Sequence, residues 1–378
     1  MTILHTSDWH LGAMDGERSL LEDQEFFIDE ICGIIVNHNV DAVIIAGDVY
    51  DRAIASAEAI RLYDRAMTRI CSELKTPVIT VAGNHDGAER LAGCRKLLES
   101  AGLHICGSLE QKLTKVSFPD VEICLLPWIT EEKVKSIYPD KKDEITSLES
   151  AYRVVTDQFR KEFDNGKKHI LAAHAFITNS ETSTSDRAAV IGYAPQVPAS
   201  VFEGFDYVAL GHIHKPQTVS EHVRYSGTPM PYSFGKEEKQ AKSVTLLDTD
   251  SMTLTIVPLR LLHRRNTITG TLENLLAYNG PDEIKSGYVR LEITDQYVGL
   301  EAFSELRKVF PNLLEVSCKT YDGENSTVTL TMEELEKLET DPIEVFRHFC
   351  KEEMGMEPDE HLTGLFTAAI KAAEEAET

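Results

Sequence analysis

At 378 residues with 42% hydrophobic content, the chain is longer than one compact core usually holds and too apolar to be disordered, so two domains and a tail are expected. No stretch nears the roughly 18–20 apolar residues of a membrane helix, no basic segment with a cleavage site follows Met1, and seven scattered cysteines lack a CxxC pair; a secreted, disulfide-framed or zinc–thiolate protein is disfavoured and a reducing cytoplasm expected. The formal net charge of −24 argues against unaided binding to a nucleic-acid backbone, which normally relies on Lys and Arg.

Short apolar runs alternate with longer amphipathic ones, the pattern of an α/β fold. Five of the runs share a feature. Ile3-Leu4 leads to Asp8 and His10; the run 43–46 leads to Gly47-Asp48; the run 78–82 leads to Gly83-Asn84-His85. The run 170–173 leads to His174, and the run 207–210 to Gly211-His212-Ile213-His214. Each reads as a buried strand ending in a metal-capable side chain, and sites in α/β sheets form beyond the carboxyl ends of strands. Gly47, Gly83 and Gly211 suit the tight backbone where strand becomes loop. Helical patterns fall at 18–38, 55–75, 88–101 and 146–164, and 223–260 reads as a run of strands, closing a first domain at 1–262. A strand at 288–294, a helix at 300–310 and a strand at 314–320 predict a small α+β domain over 266–335. Two amphipathic helices, 342–354 and 359–374, are expected in a final segment, 341–378.

The strand ends spell DxH (Asp8, His10), GDxxD (Asp48, Asp51), GNHD (Asn84, His85, Asp86), a lone His174 and GHxH (His212, His214). Singly each motif is weak; in this order, each after a strand-like run, chance explains them poorly. Imidazole mixed with carboxylate suits manganese, iron or zinc better than magnesium. Two such ions about 3.5–4 Å apart can clamp both oxygens of an in-line displacement at phosphorus.

These motifs resemble the calcineurin-like metallophosphoesterase superfamily. The fuller strings HTSDWHLG (5–12), AVIIAGDVYD (42–51), AGNHD (82–86), YVALGHIHK (207–215) and VRYSGTPMPYSF (223–234) resemble its branch of bacterial SbcD nuclease subunits. The last string lies outside the shared metal motifs and favours that branch over phosphatases. The resemblance covers 1–260 well and the small domain loosely. It implies a four-layer α/β/β/α sandwich with a small α+β capping domain and C-terminal helices. It implies two divalent ions, with manganese the expected species: one on Asp8, His10, Asp48 and His214, the other on Asp48, Asn84, His174 and His212. His85 would face the scissile phosphate, stabilise the transition state and help protonate the leaving oxygen, with Asp51 orienting it by a hydrogen bond. The implied activity is 3′→5′ exonuclease action on duplex ends and endonuclease action on single strands and hairpins. The implied partners are DNA, a second copy of the chain and an SbcC-type coiled-coil ABC ATPase, gripped by the segment after the small domain. The chain has no P-loop motif, so ATP dependence would come from that partner. One departure is Ala175, where the family often has Gly after the fourth-motif His; another is that some relatives carry His where Asp51 stands.

The remaining features have plainer readings. His5, His38, His104, His169, His222, His263, His348 and His361 are expected to be structural or superficial, Asp86 a loop-stabilising acceptor or helix cap, and Trp9 a packing residue. Two basic clusters, Arg260/His263/Arg264/Arg265 and Lys236/Lys239/Lys242, are the candidates for DNA contact. Among apolar positions in the helices at 55–75 and 88–101 (Ile60, Leu62, Met67, Ile70, Leu97), most are expected in the core. The acidic charge keeps open a phosphomonoesterase or cyclic-nucleotide phosphodiesterase on the same fold. A non-catalytic scaffold that docks an ATPase is the third reading, and the completeness of the ligand set argues against it.

Overall fold

A computed structural model describes residues 1–16, 18–183, 185–186, 196–295, 300–319, 327–331, 343, 346–347, 349–351 and 357–376. The chain divides into two compact units, Met1–Leu262 and His263–Thr378.

The first unit holds two six-stranded mixed sheets. One runs Thr253–Pro258, Ser243–Asp248, Thr2–Thr6, Ala42–Ile45, Val78–Val81, Leu103–Cys106; its last four strands are parallel. The other runs Gln217–Ser220, Val223–Tyr225, Tyr207–Gly211, Lys168–His174, Val121–Leu126, Lys115–Ser117; its central four are parallel. Parallel strands put their carboxyl ends on one side, so the five apolar runs deliver their terminal motifs together. Period-two alternation explains the layering. Ile123, Leu125, Ile170, Ala172, Tyr207 and Ala209 turn inward and share one core with Ile3, Ile44 and Ile79 of the first sheet. Their neighbours Cys124, Leu126, Leu171, Ala173, Val208 and Leu210 turn outward and pack on Val134, Tyr152, Val155 and Phe159 from the helices Glu131–Ile137 and Leu148–Lys161. Two sheets packed face to face, with helices on the outer face of the second, make an α/β sandwich.

The helices start where their chemistry predicts. The Ser56 side chain accepts from Ala59 N–H to open Ala57–Met67, and Ser147 with Ser150 forms a capping box for Leu148–Lys161. Ala57–Met67 continues as a π-helical stretch, Thr68–Glu73, which completes the region expected as one helix. The helix expected over 88–101 is broken into Ala88–Leu91, Arg95–Leu98 and a 3₁₀ turn Glu99–Ala101; Cys94, after Gly93, takes φ 59° and stops propagation. The strands Leu103–Cys106 and Val121–Leu126 and the helix Glu131–Ile137 were not anticipated.

The second unit contains a sheet ordered Arg265–Gly270, Tyr288–Ile293, Leu313–Lys319, Thr327–Thr331. Val289, Leu291, Ile293 and Val316 meet Phe303, Leu306 and Phe310 of the region expected as a helix, which spans Leu300–Val309. The helix expected at 359–374 is Glu360–Ala376; the one at 342–354 lies partly outside the described residues, and its described Phe346 stacks on Phe366 with centroids 4.1 Å apart. Asp341, Pro342 and His348 lie outside them as well. Among the described residues no helix is long and apolar enough to cross a membrane.

Candidate metal centre

The loops that end the parallel strands are stitched to one another. Asp8 N–H donates to the Gly47 carbonyl and His10 N–H to the Asp48 carbonyl, both at 3.0 Å. Asp8, His10, Asp48 and His212 all sit at positive φ (53°, 44°, 49° and 105°), a conformation that side chains other than glycine rarely adopt and that clusters at functional sites. Close approach explains two of the glycines: a Cβ on Gly83 would lie 2.1 Å from Asp48 Oδ1, and one on Gly211 would lie 1.9 Å from the Ala46 carbonyl oxygen.

Two groups of buried donors result. Ligand atoms of Asp8, His10 and His214 lie within 4.8 Å of one another, and so do those of Asp48, His174 and His212. Asp48 stands between them: its Oδ2 is 3.3 Å from His174 Nε2 and 3.9 Å from His10 Nε2, while its Oδ1 accepts from His85 N–H at 2.8 Å. Asn84 Oδ1 lies 3.0 Å from His174 Nε2 and 2.9 Å from His212 Nδ1, and His10 Nε2 lies 3.1 Å from His214 Nε2. His174 donates Nδ1–H to the Ala46 carbonyl at 2.9 Å, which leaves Nε2 to face the cluster. Ala175 is buried, and its carbonyl accepts from Tyr225 OH at 2.7 Å.

The electrostatics fit divalent cations. Asp8 and Asp48 are buried carboxylates placed among imidazoles. Burial, with Asp48 nearby, pushes Asp8 up to about 8 although His174 pulls the other way. Burial also opposes charge on Asp48, but His174, His10 and His85 outweigh it and hold this carboxyl below the usual range. Burial works against charge on His174 too; Asp48, Asp8 and the Ala46 carbonyl together hold it up at about 9. Burial pushes His10, His212 and His214 down to about 3, so these rings keep lone pairs available. The ring nitrogens that meet the other donors are His10 Nε2, His174 Nε2, His212 Nδ1 and His214 Nε2, while His10 Nδ1 and His212 Nε2 are buried with no hydrogen-bond partner among the described residues.

His85 joins His10 and Asp51 in a third close group, and it is half-buried beside the exposed Asn84, on the open side of the centre. Its Nδ1 lies 2.9 Å from the main-chain carbonyl of Asp51. The contact expected from the Asp51 carboxylate therefore comes from its backbone; the carboxylate lies 3.9 Å from His10 Nδ1 and 3.4 Å from Arg52 Nε. Asp86 accepts from the N–H groups of Val49, Tyr50 and Gly83 at 2.9–3.1 Å, the loop-stabilising role expected of it. Trp9 is buried, donates to Thr6 Oγ1 and packs edge-on to Phe27.

Sequence reasoning passed over the residues that brace these loops. Ser7 donates to Asp8 Oδ2 at 2.5 Å and contacts Ser226 Oγ at 2.8 Å. Gln24 reaches the His10 carbonyl at 2.7 Å, and Tyr232 OH donates to the Trp9 carbonyl at 2.5 Å. Half-buried Trp128 lies with its ring centroid 5.2 Å from that of His212. The string VRYSGTPMPYSF, used only as a family marker, contains two of these contacts. Two members of the basic clusters are buried, contrary to expectation. Lys242 is buried in an ion pair with Glu237, and Arg265 is buried with its guanidinium 5.4 Å from the Tyr288 ring centre; neither is a surface contact for DNA. Lys236, Lys239, Arg260 and Arg264 are exposed, and Arg260 pairs with Glu30.

The clustered His and Asp residues form a candidate two-metal active site typical of phosphoesterase catalysis. The calcineurin-like phosphoesterase family model matches residues 1–216, and the chain belongs to that family. The model of the type 5 capsule protein repressor C-terminal domain matches residues 258–354. The SbcD subunit of the nuclease SbcCD from Staphylococcus epidermidis is 33% identical over 326 residues, covering 85% of this chain and 86% of that protein. Within the family the chain is of the SbcD nuclease-subunit type. Two solved structures are each 15% identical: TT1561 of Thermus thermophilus (68% of this chain, 99% of that chain, TM-score 0.38) and a dimetal phosphatase from Danio rerio (68% and 96%, TM-score 0.40).

Proposed function

We propose that the chain is the metal-dependent nuclease subunit of an SbcCD-type complex and hydrolyses DNA phosphodiester bonds in repair, replication and recombination. The observation that carries this reading is the pair of buried donor groups on either side of Asp48, with half-buried His85 beside them. Asp8, His10, Asp48 and His214 would hold one ion, and Asp48, Asn84, His174 and His212 the other. Two divalent ions there, manganese first among candidates, supply charge neutralisation at the phosphoryl oxygens and acidify a water molecule. The chain's own residues do the rest. A carbonyl only accepts, so the 2.9 Å contact with Asp51 O places a proton on His85 Nδ1 and leaves Nε2 to face substrate. From Nε2 the imidazolium stabilises charge on phosphorus-bound oxygen and gives its proton to the departing 3′ oxygen.

The same reading assigns 3′→5′ exonuclease action on duplex ends and endonuclease action on single strands and hairpins. It assigns capping and DNA contact to 266–335, and docking of an SbcC-type coiled-coil ABC ATPase, the source of ATP dependence, to 341–378. Two nuclease chains would stand in one cytoplasmic heterotetramer. The net charge of −24 favours a second reading, a small phosphomonoester or cyclic nucleotide as substrate. Hairpin DNA and a chromogenic phosphomonoester assayed side by side with manganese, with and without the ATPase and ATP, separate the two. Turnover of the small ester alone ends the nuclease reading.

A further inference from the structure

Behind His214 lies an ion pair with both side chains fully buried: Lys242 Nζ is 2.6 Å from Glu237 Oε1. Such pairs contribute little net stability, because desolvation offsets their attraction. This one is tied to the candidate metal centre by an unbroken chain of contacts. Lys242 Nζ spends its three donors on Glu237 Oε1, Thr228 Oγ1 at 2.7 Å and the His214 carbonyl at 3.3 Å. Glu237 also accepts from Thr228 Oγ1, from Ser233 N–H and Oγ, and from Ser185 Oγ at 2.5 Å. Ser185 Oγ in turn lies 2.6 Å from His214 Nδ1.

Proton counting fixes the direction of this chain. A carboxylate paired with an ammonium only accepts, so the single Ser185 hydroxyl proton points to Glu237. The short contact on the other side must then be donated by the imidazole, which puts a proton on His214 Nδ1. In the neutral ring Nε2 is left with its lone pair, and Nε2 is the atom 3.1 Å from His10 Nε2. The backbone of His214 is held as well, its N–H donating to Asp186 Oδ1 at 2.8 Å.

We propose that Ser185, Glu237 and Lys242 form a positioning relay that fixes the ring orientation and tautomer of His214 and thereby sets the affinity of one of the two metal positions. The proposal rests on the reading of His214 as a ligand. Partners of this kind typically change metal affinity by about 10–100-fold when removed.

The test is manganese(II) binding by the full chain, measured by equilibrium dialysis with elemental analysis, beside the thermal midpoint. Wild type is expected to take two ions. Ser185→Ala should weaken one of them by about 10–100-fold and leave the other unchanged, while Ser185→Thr, which keeps the hydroxyl, should stay close to wild type. The double variant Glu237→Leu/Lys242→Met removes the pair without stranding a buried charge, but Thr228 and Ser233 lose their acceptor, so it should fold with a lowered thermal midpoint and show the same weakening. If it does not fold, Ser185→Ala carries the test alone. Two ions bound at wild-type affinity in Ser185→Ala would overturn the relay while the two-metal reading stands. Fewer than two ions on wild type would overturn the two-metal reading, and the relay with it.

Discussion

His85 is oriented by the Asp51 main chain: its Nδ1 lies 2.9 Å from that carbonyl oxygen, while the Asp51 carboxylate lies 3.9 Å from His10 Nδ1. Substitutions at the two positions should therefore separate. His85→Ala is expected to keep both metals and lower kcat by about 10²–10⁴-fold, the usual worth of a positioned acid. Asp51→Ala leaves the carbonyl in place; its expected effect is on manganese affinity, with a much smaller loss in kcat at saturating metal. Steady-state rates on a chromogenic phosphodiester across a manganese titration check both. Equal losses of kcat in the two variants would show that the carboxylate acts on His85 after all.

Asp48 touches both donor groups, so Asp48→Ala is expected to lose both ions, read as metal content after desalting. Gly83→Ala should approach the same result by a different route, since its methyl would meet Asp48 Oδ1 at 2.1 Å. Full occupancy in Asp48→Ala would falsify the shared position.

Metal loading should release protons. His174 is held up at about 9 and Asp8 at about 8 in the metal-free chain, so both carry a proton at pH 7 that a ligand must lose. Protons compete with metal below those values, so affinity should rise with pH up to about 9 and level off above it. Calorimetric titration in buffers of different ionisation enthalpy reads the proton count directly. A count of zero at pH 7 contradicts the assignment.

Stability against acid should depend on a histidine that is not itself among the ligands. His5 is buried between the sheets, with Nδ1 2.9 Å from Tyr207 OH and Nε2 3.1 Å from the Leu210 carbonyl. Burial pushes it down to about 3 from 6.5, so the ring is neutral when folded and takes up a proton on unfolding. The unfolded state then binds more protons below 6.5. Stability is complete above that value and declines as pH falls toward 3. Urea unfolding of metal-stripped His5→Gln should show a shallower decline between pH 6.5 and 4 than wild type; parallel curves would remove His5 as a contributor.

Much of this architecture is legible in the residue pattern. The five strands with metal-capable ends were legible because a short apolar run followed by Gly, Asp or His has few alternatives, and the parallel arrangement then forces their ends together. The broken helix at 88–101 was not, because its apolar spacing continues through Cys94 while the backbone does not. Val121–Leu126 escaped for the opposite reason: it is buried on both faces and lacks alternation. The bracing residues were hidden by type. Lys242 looks like any surface lysine, and only the fold shows that Glu237, five positions earlier, shares its burial. Asp51 was noticed, but no pattern of side chains can announce a main-chain carbonyl.

Asp8, His10, Asp48 and His212 hold positive-φ backbone. Each such residue costs on the order of 1–3 kcal/mol that surrounding structure must offset. Heat resistance and catalysis therefore pull these four positions in opposite directions. Populations selected for thermal endurance alone should accumulate glycine there, and lines forced to keep cutting should not.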